Sequence, residues 1–168
     1  MKGFDRNNLN NRISAHFTYK EALSSIFDKR CLEMNLKQVT AQQLDFAEDY
    51  AWNFIEPIRG ALNREFKDEF GYEIGIGVTT WIRQTEYEIL KGRSGGSRHT
   101  FGDVADIYPI TRNSEHYIKA FAFMLNYCMN VCDIEGGFAF SPYRVKQGKI
   151  TATGFIHKDF GSKRFWNY

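Results

Sequence analysis

Ser97-Arg98-His99-Thr100-Phe101-Gly102-Asp103-Val104-Ala105-Asp106 is the stretch on which the reading of this chain turns. It sets an imidazole at His99 and a carboxylate at Asp106, with Gly102 between them. Gly102 marks a turn, and the Val104-Ala105-Asp106-Ile107-Tyr108 run behind it reads as a strand. The pair is therefore not a helical metal motif. A second stretch, Gly154-Phe155-Ile156-His157-Lys158-Asp159, brings another imidazole. Two histidines and one carboxylate from separate segments can bind zinc and leave a fourth position open for water. His99, Asp106 and His157 are thus the candidate metal ligands. The other two histidines, His16 and His116, lie outside these stretches. A histidine in a globular chain is more often hydrogen-bonded or at the surface than a ligand.

The register of the first stretch says more than its spacing. Ser97, His99, Gly102 and Asp106 fall in step with the pattern Ser-x-His-x-x-Gly-x-Ala-x-Asp, with Val104 where the pattern has alanine. On these residues the chain resembles the zinc D-Ala-D-Ala carboxypeptidase and peptidoglycan endopeptidase family, whose fold is shared with the hedgehog signalling domain. Phe155-Ile156-His157 is similar to that family's aromatic-aliphatic-His segment, which supplies the third zinc ligand. Thr79-Thr80-Trp81-Ile82-Arg83 sits where the family has a strand ending in a substrate-binding arginine. The opening Ser14-Ala15-His16-Phe17-Thr18-Tyr19-Lys20-Glu21 is similar to the start of phage-type members.

The resemblance implies a zinc cofactor and hydrolysis of peptide bonds in bacterial peptidoglycan, by a carboxypeptidase or an endopeptidase, in the service of a phage that must breach or leave its host. Arg83 would then hold a substrate carboxylate or the developing oxyanion. One position departs from the pattern. Family members often place Glu or Asp three residues before the last histidine, and here that residue is Gly154. Asp159 and Glu135 are the substitutes. Asp159 follows His157 by two residues, so on a strand it faces the same side, as a general base or as a partner that orients the ligand. The departure supports an alternative: a catalytically silent zinc module that binds cell wall or a protein partner.

Composition narrows the rest. A chain of 168 residues fits one domain with a sizeable core, read as a polar tail over 1–13 and one zinc peptidase-like domain over 14–168. A net charge of +2 is too mild for a nucleic-acid binder. The cluster Lys158, Lys163 and Arg164 reads as a solvated end. No stretch is long and apolar enough to span a membrane, and the charged N-terminus has no apolar run behind it as a secretory signal would. The expectation is synthesis in a cytoplasm and action at the cell wall after delivery. Three cysteines argue against a disulfide framework, and Cys128 and Cys132, one helical turn apart, read as core rather than a metal pair.

Local signals place the elements. Thr18-x-x-Glu21 and Thr40-x-x-Gln43 are capping boxes. The first opens a helix to about Arg30, followed by a connection over 32–39. The second opens the longest helical stretch, with Leu44, Ala47, Ala51, Phe54, Ile58, Leu62 and Phe66 on one face and a kink near Pro57. Gly71 ends it, and 73–81 reads as a strand. A loop with a short helical turn covers 84–96. A helix from about Asn113 buries Tyr117, Ile118, Phe121, Met124, Leu125, Cys128 and Cys132, and two strands over 138–140 and 149–160 finish the chain. The fold class is α+β, helices packed on one side of a small, mainly antiparallel sheet.

Overall fold

The computed structural model describes residues 4–131 and 135–167. Its elements in chain order are α1 (Tyr19–Leu23), α2 (Arg30–Gln38), α3 (Ala41–Tyr50), a π-helical turn (Ala51–Ile55), α4 (Glu56–Phe70), β1 (Gly75–Thr80), α5 (Thr85–Leu90), a 3-10 turn (Arg98–Thr100), β2 (Val104–Ile110), α6 (Ser114–Asn126), a second π-helical turn (Tyr127–Val131), β3 (Gly137–Ser141), β4 (Arg144–Lys146), β5 (Lys149–Ala152), β6 (Phe155–Asp159) and β7 (Arg164–Asn167). The strands make one sheet in the order β1-β2-β6-β3-β7 and a separate β4-β5 pair. Strand β3 runs antiparallel to β6 and parallel to β7, so the large sheet is mixed and the class is α+β. The chain clusters into two compact units, Met1–Glu56 with Val78–Ala105, and Pro57–Gly77 with Asp106–Tyr168. Among the described residues no helix is long and apolar enough to cross a membrane.

In the first unit both capping boxes form. Glu21 N donates to Thr18 Oγ1 at 3.3 Å while Thr18 N donates to Glu21 Oε2 at 2.8 Å. The helix expected to run to about Arg30 nevertheless ends at Leu23. Ser24 turns to extended backbone at φ −97 and ψ 163. Ser25 then bridges to Thr80, and Ile26 N donates to Thr79 O at 3.0 Å, so this segment's backbone is satisfied by β1 instead of a helix. The helix resumes where Asp28 accepts from Arg30 N at 3.0 Å, and α2 fills the segment expected to be a connection. Buried Asn35 fixes α2 in place: its amide donates to Leu23 O at 2.7 Å and to Ile82 O at 2.8 Å. Trp81 is the centre of the core here, with Phe17 at 6.3 Å and Tyr50 at 5.9 Å in edge contacts. Each such side chain contributes roughly 1.5–3 kcal/mol by leaving water.

The kink expected near Pro57 takes the form of the π-helical turn just ahead of it. Proline offers no N–H and its ring crowds the carbonyl four residues back, and a widened turn absorbs both without ending the helix. Gly71, at φ +71, terminates α4.

The second unit is built on aromatic contacts between α4 and α6. Phe66 stacks on Phe70 at 5.1 Å and meets Phe123 edge-on at 5.5 Å. The side chain of Asn113 caps α6 by accepting from His116 N at 2.8 Å, and Tyr117, Phe121, Met124 and Cys128 are buried as expected. Ile118 is not: it is 38% exposed, on the shoulder of the helix. Cys132 lies outside the described residues. The connection expected after β3 is instead the β4–β5 hairpin, and the strand expected over 149–160 breaks at Gly154. That residue sits at φ +63, and a Cβ there would lie 2.4 Å from Ser141 O. The basic end is solvated at Lys163 and Arg164, the latter ion-paired with Asp159, but not at Lys158, which is 7% exposed.

Candidate metal centre

His99 is presented by a turn that packing defines. The Ser97 hydroxyl accepts from His99 N at 3.4 Å, and Thr100 Oγ1 donates to Ser97 O at 2.7 Å, closing the short 3-10 turn. Gly102 then lies at φ +93, where a Cβ would stand 2.3 Å from Gln43 O. The motif glycine is required twice, by its dihedral and by the closeness of α3. Gln43, the partner in the second capping box, also donates from its amide to Thr100 O at 2.8 Å. His99 is fully buried, and its Nδ1 is 2.6 Å from Trp81 O. A carbonyl only accepts, so Nδ1 carries the proton and Nε2 keeps the lone pair a metal needs.

Arg83 is tied to the same turn through its backbone, Arg83 N donating to His99 O at 3.0 Å. Its guanidinium is not free. Nε is 2.9 Å from Glu88 Oε1 in a pair whose side chains are 12% and 2% exposed, and Nη2 donates to Ser97 Oγ at 3.2 Å. The sequence placed Arg83 beside the site but gave no sign that Glu88 would neutralise it.

Asp106 on β2 and His157 on β6 meet directly, His157 Nδ1 lying 2.8 Å from Asp106 Oδ1. On its other side His157 Nε2 is 3.4 Å from Asp159 Oδ2. This is the expected same-face arrangement of residues two apart on a strand. Asp159 is fully buried and also accepts from Gly137 N at 2.9 Å, Gly161 N at 2.7 Å and Arg164 Nη2 at 2.6 Å. Burial pushes its carboxyl pKa up, but the hydrogen bonds from His157, Gly137 and Gly161 and the charge of Arg164 outweigh that and hold it well below the usual range. Burial likewise pulls the His157 pKa down, and its bonds to Asp106 and Asp159 together raise it above the ordinary value. A carboxylate surrounded by donors and held ionised is a poor proton acceptor. Asp159 therefore orients His157, while Glu135, the other candidate base, is exposed.

His99 in the first unit and Asp106 and His157 in the second are all buried, and each carries an atom that could hold a metal ion. Two imidazole nitrogens and one carboxylate oxygen are donors that could hold a metal ion. The second contacts also fit a metal site, with a carbonyl behind His99 and a carboxylate behind His157. The remaining histidines serve structure: His16 Nδ1 is 2.7 Å from Glu56 Oε2, and His116 stacks on Phe70 at 3.8 Å. The clamp on Asp159 was not read from sequence, because Gly137, Gly161 and Arg164 carry no signature of their own, the first lying on β3 and the other two just after Asp159. No protein-family model matches the chain, and comparison with curated proteins and with solved structures gives no match either.

Proposed function

We propose that this protein is a zinc-dependent peptidase that hydrolyses peptide bonds in bacterial peptidoglycan. The observation that carries the reading is that the three candidate ligands, His99, Asp106 and His157, are all buried polar side chains able to hold a metal ion. The motif register of Ser97, His99, Gly102 and Asp106 supplies the substrate class by its resemblance to the peptidoglycan peptidases. Zinc held by these residues would polarise the scissile carbonyl and acidify a water molecule. The chain's own groups prepare that chemistry. Trp81 O fixes the tautomer of His99, and Asp159 accepts from His157 Nε2 so that Nδ1 faces Asp106. Arg83 recognises an anionic group by directed hydrogen bonds, since Glu88 cancels its net charge.

A second reading has an observation of its own. Gly154 replaces the usual carboxylate and its backbone admits no side chain, while Asp159 is held ionised by several donors. A zinc module that binds cell wall or a protein partner without turnover needs no general base. Digestion of purified peptidoglycan, read by mass spectrometry beside elemental analysis of the protein, separates the readings. Peptide fragments released by the wild type, lost with chelator, restored by zinc and absent with His99→Ala, establish the peptidase. Stoichiometric zinc with intact peptidoglycan establishes the silent module. Absence of zinc removes both.

A further inference from the structure

Beyond Asp106, β2 runs into an open cleft of about 460 Å³. Side chains alternate along a strand, so Asp106, Tyr108 and Ile110 share one face. The glycines of β1 report the same face: a Cβ on Gly77 would lie 2.4 Å from the Tyr108 ring, and one on Gly75 would lie 3.4 Å from Ile110 Cβ. Each residue advances roughly 3.3 Å along a strand, so Tyr108 stands about 7 Å from Asp106. An extended peptide whose reacting bond lies at Asp106 and His157 would place its more distant residues in this cleft.

The lining has a marked chemical bias. None of its ten residues is acidic. Arg112 is exposed and lies with its guanidinium 4.2 Å from the centre of the Tyr72 ring, with no carboxylate partner among the described residues. The ring holds the cation in place without neutralising it. Backbone tethers it too, Arg112 N donating to Tyr72 Oη at 2.9 Å. Ser114 Oγ accepts from Ile150 N at 3.2 Å, which leaves its O–H as a donor. Ile110, 52% exposed, and Ile150 supply apolar wall. A positioned cation and a hydroxyl donor, with apolar surface and no acid, select a peptide that carries a carboxylate beside an aliphatic side chain.

We propose that this cleft is the distal substrate subsite, which binds an acidic peptide segment through Arg112. The assignment rests on the peptidase reading for its substrate, but binding is measured independently of turnover. The probes are the synthetic stem peptide L-Ala-γ-D-Glu-L-Lys-D-Ala-D-Ala and its counterpart with the glutamate α-carboxylate amidated. Each is titrated into the zinc-supplemented full chain, labelled with nitrogen-15, beside Arg112→Gln and Arg112→Lys, and the mixtures are analysed for cleavage.

The expected result is shift changes clustered at 108–114, 150 and 153. Arg112→Gln should weaken the carboxylate peptide about tenfold or more and leave the amidated peptide unchanged, with Arg112→Lys, which keeps the charge but loses the planar fork stacked on Tyr72, falling between Arg112→Gln and wild type. Equal loss for both peptides, shift changes elsewhere or no binding overturns the subsite. Cleavage that Arg112→Gln leaves untouched overturns the subsite alone. Arg112-dependent binding at the cleft without cleavage keeps the subsite and overturns the peptidase reading.

Discussion

His99 and His157 are offered as ligands of the same kind, yet they are held in opposite ways. His99 rests on a backbone carbonyl in a turn whose shape comes from close packing, with Gly102 against Gln43 and Trp81 behind. His157 stands between two carboxylates, Asp106 and Asp159. The first arrangement fixes direction and has no charge of its own to respond to pH. The second is an electrostatic device, in which two carboxylates favour positive charge at His157. Shape on one side and charge on the other make the two halves separately breakable.

The largest effect is expected from breaking the shape. Gly102→Ala adds a Cβ 2.3 Å from Gln43 O at a residue with φ +93. Strain at such a dihedral and overpacking against backbone each cost on the order of 1–3 kcal/mol, so a loss of about 3 kcal/mol is expected in urea denaturation. Zinc binding should fail together with stability, because the added methyl displaces the turn that carries His99. A variant as stable as wild type would show that the turn has slack the packing does not suggest.

Breaking the charge side should act differently. Asp159→Asn keeps the shape and removes the negative charge behind His157. Zinc affinity is expected to fall about 10- to 100-fold, as for other partners behind a ligand, with the turn around His99 undisturbed. Competition with a chromophoric chelator reads this directly. An unchanged affinity would mean that Asp159 secures Gly137, Gly161 and Arg164 and contributes nothing to the imidazole.

Acidity sharpens the same contrast. The His157 pKa is raised in the folded protein, so its stabilisation is complete below the unfolded value of about 6.5 and is lost as pH rises through the folded value. The Asp159 pKa is lowered, so its contribution is present above about 3.9 and is lost as pH falls through the folded value. Without metal, this cluster therefore favours folding most between about pH 4 and 6.5. Melting of chelated protein should weaken from pH 6 to pH 9, and added zinc should abolish that decline by replacing the proton. Equal slopes with and without zinc would separate the metal from His157.

Legibility follows the same division. The His99 turn could be read from sequence because its determinants are local: a serine cap, one glycine and a strand start within ten residues. The cap at Thr40 and the helix start near Asn113 were legible for the same reason, and so was the α+β class. What the sequence hid depends on tertiary pairings, some between residues far apart in the chain and some between near ones that no helix or strand period links. Ser25 leaves the helical path because Thr80 takes it, Arg83 is neutralised by Glu88, and Asp159 is occupied by Gly137 and Arg164. No periodicity announces such pairings, and composition alone led Lys158, which is buried, to be read as solvated.

The smallest effect joins the local and the distant. Thr40 caps α3, accepting from Gln43 N at 3.2 Å, while Gln43 Oε1 accepts from Thr40 N at 2.9 Å. That reciprocal bond also aims the other end of the Gln43 amide at Thr100 O, inside the His99 turn. Thr40→Ala should cost about 1 kcal/mol, the ordinary value for a lost cap, and leave zinc affinity unchanged because Gln43 keeps its backbone partner. Gln43→Ala should cost a similar amount and also weaken zinc binding, since Thr100 O loses its donor beside the ligand. Thermal melting and chelator competition on the two variants decide whether the cap serves only its helix or also steadies the turn. Equal zinc affinities would confine the capping box to α3 and leave Gly102 and Trp81 as the turn's main supports.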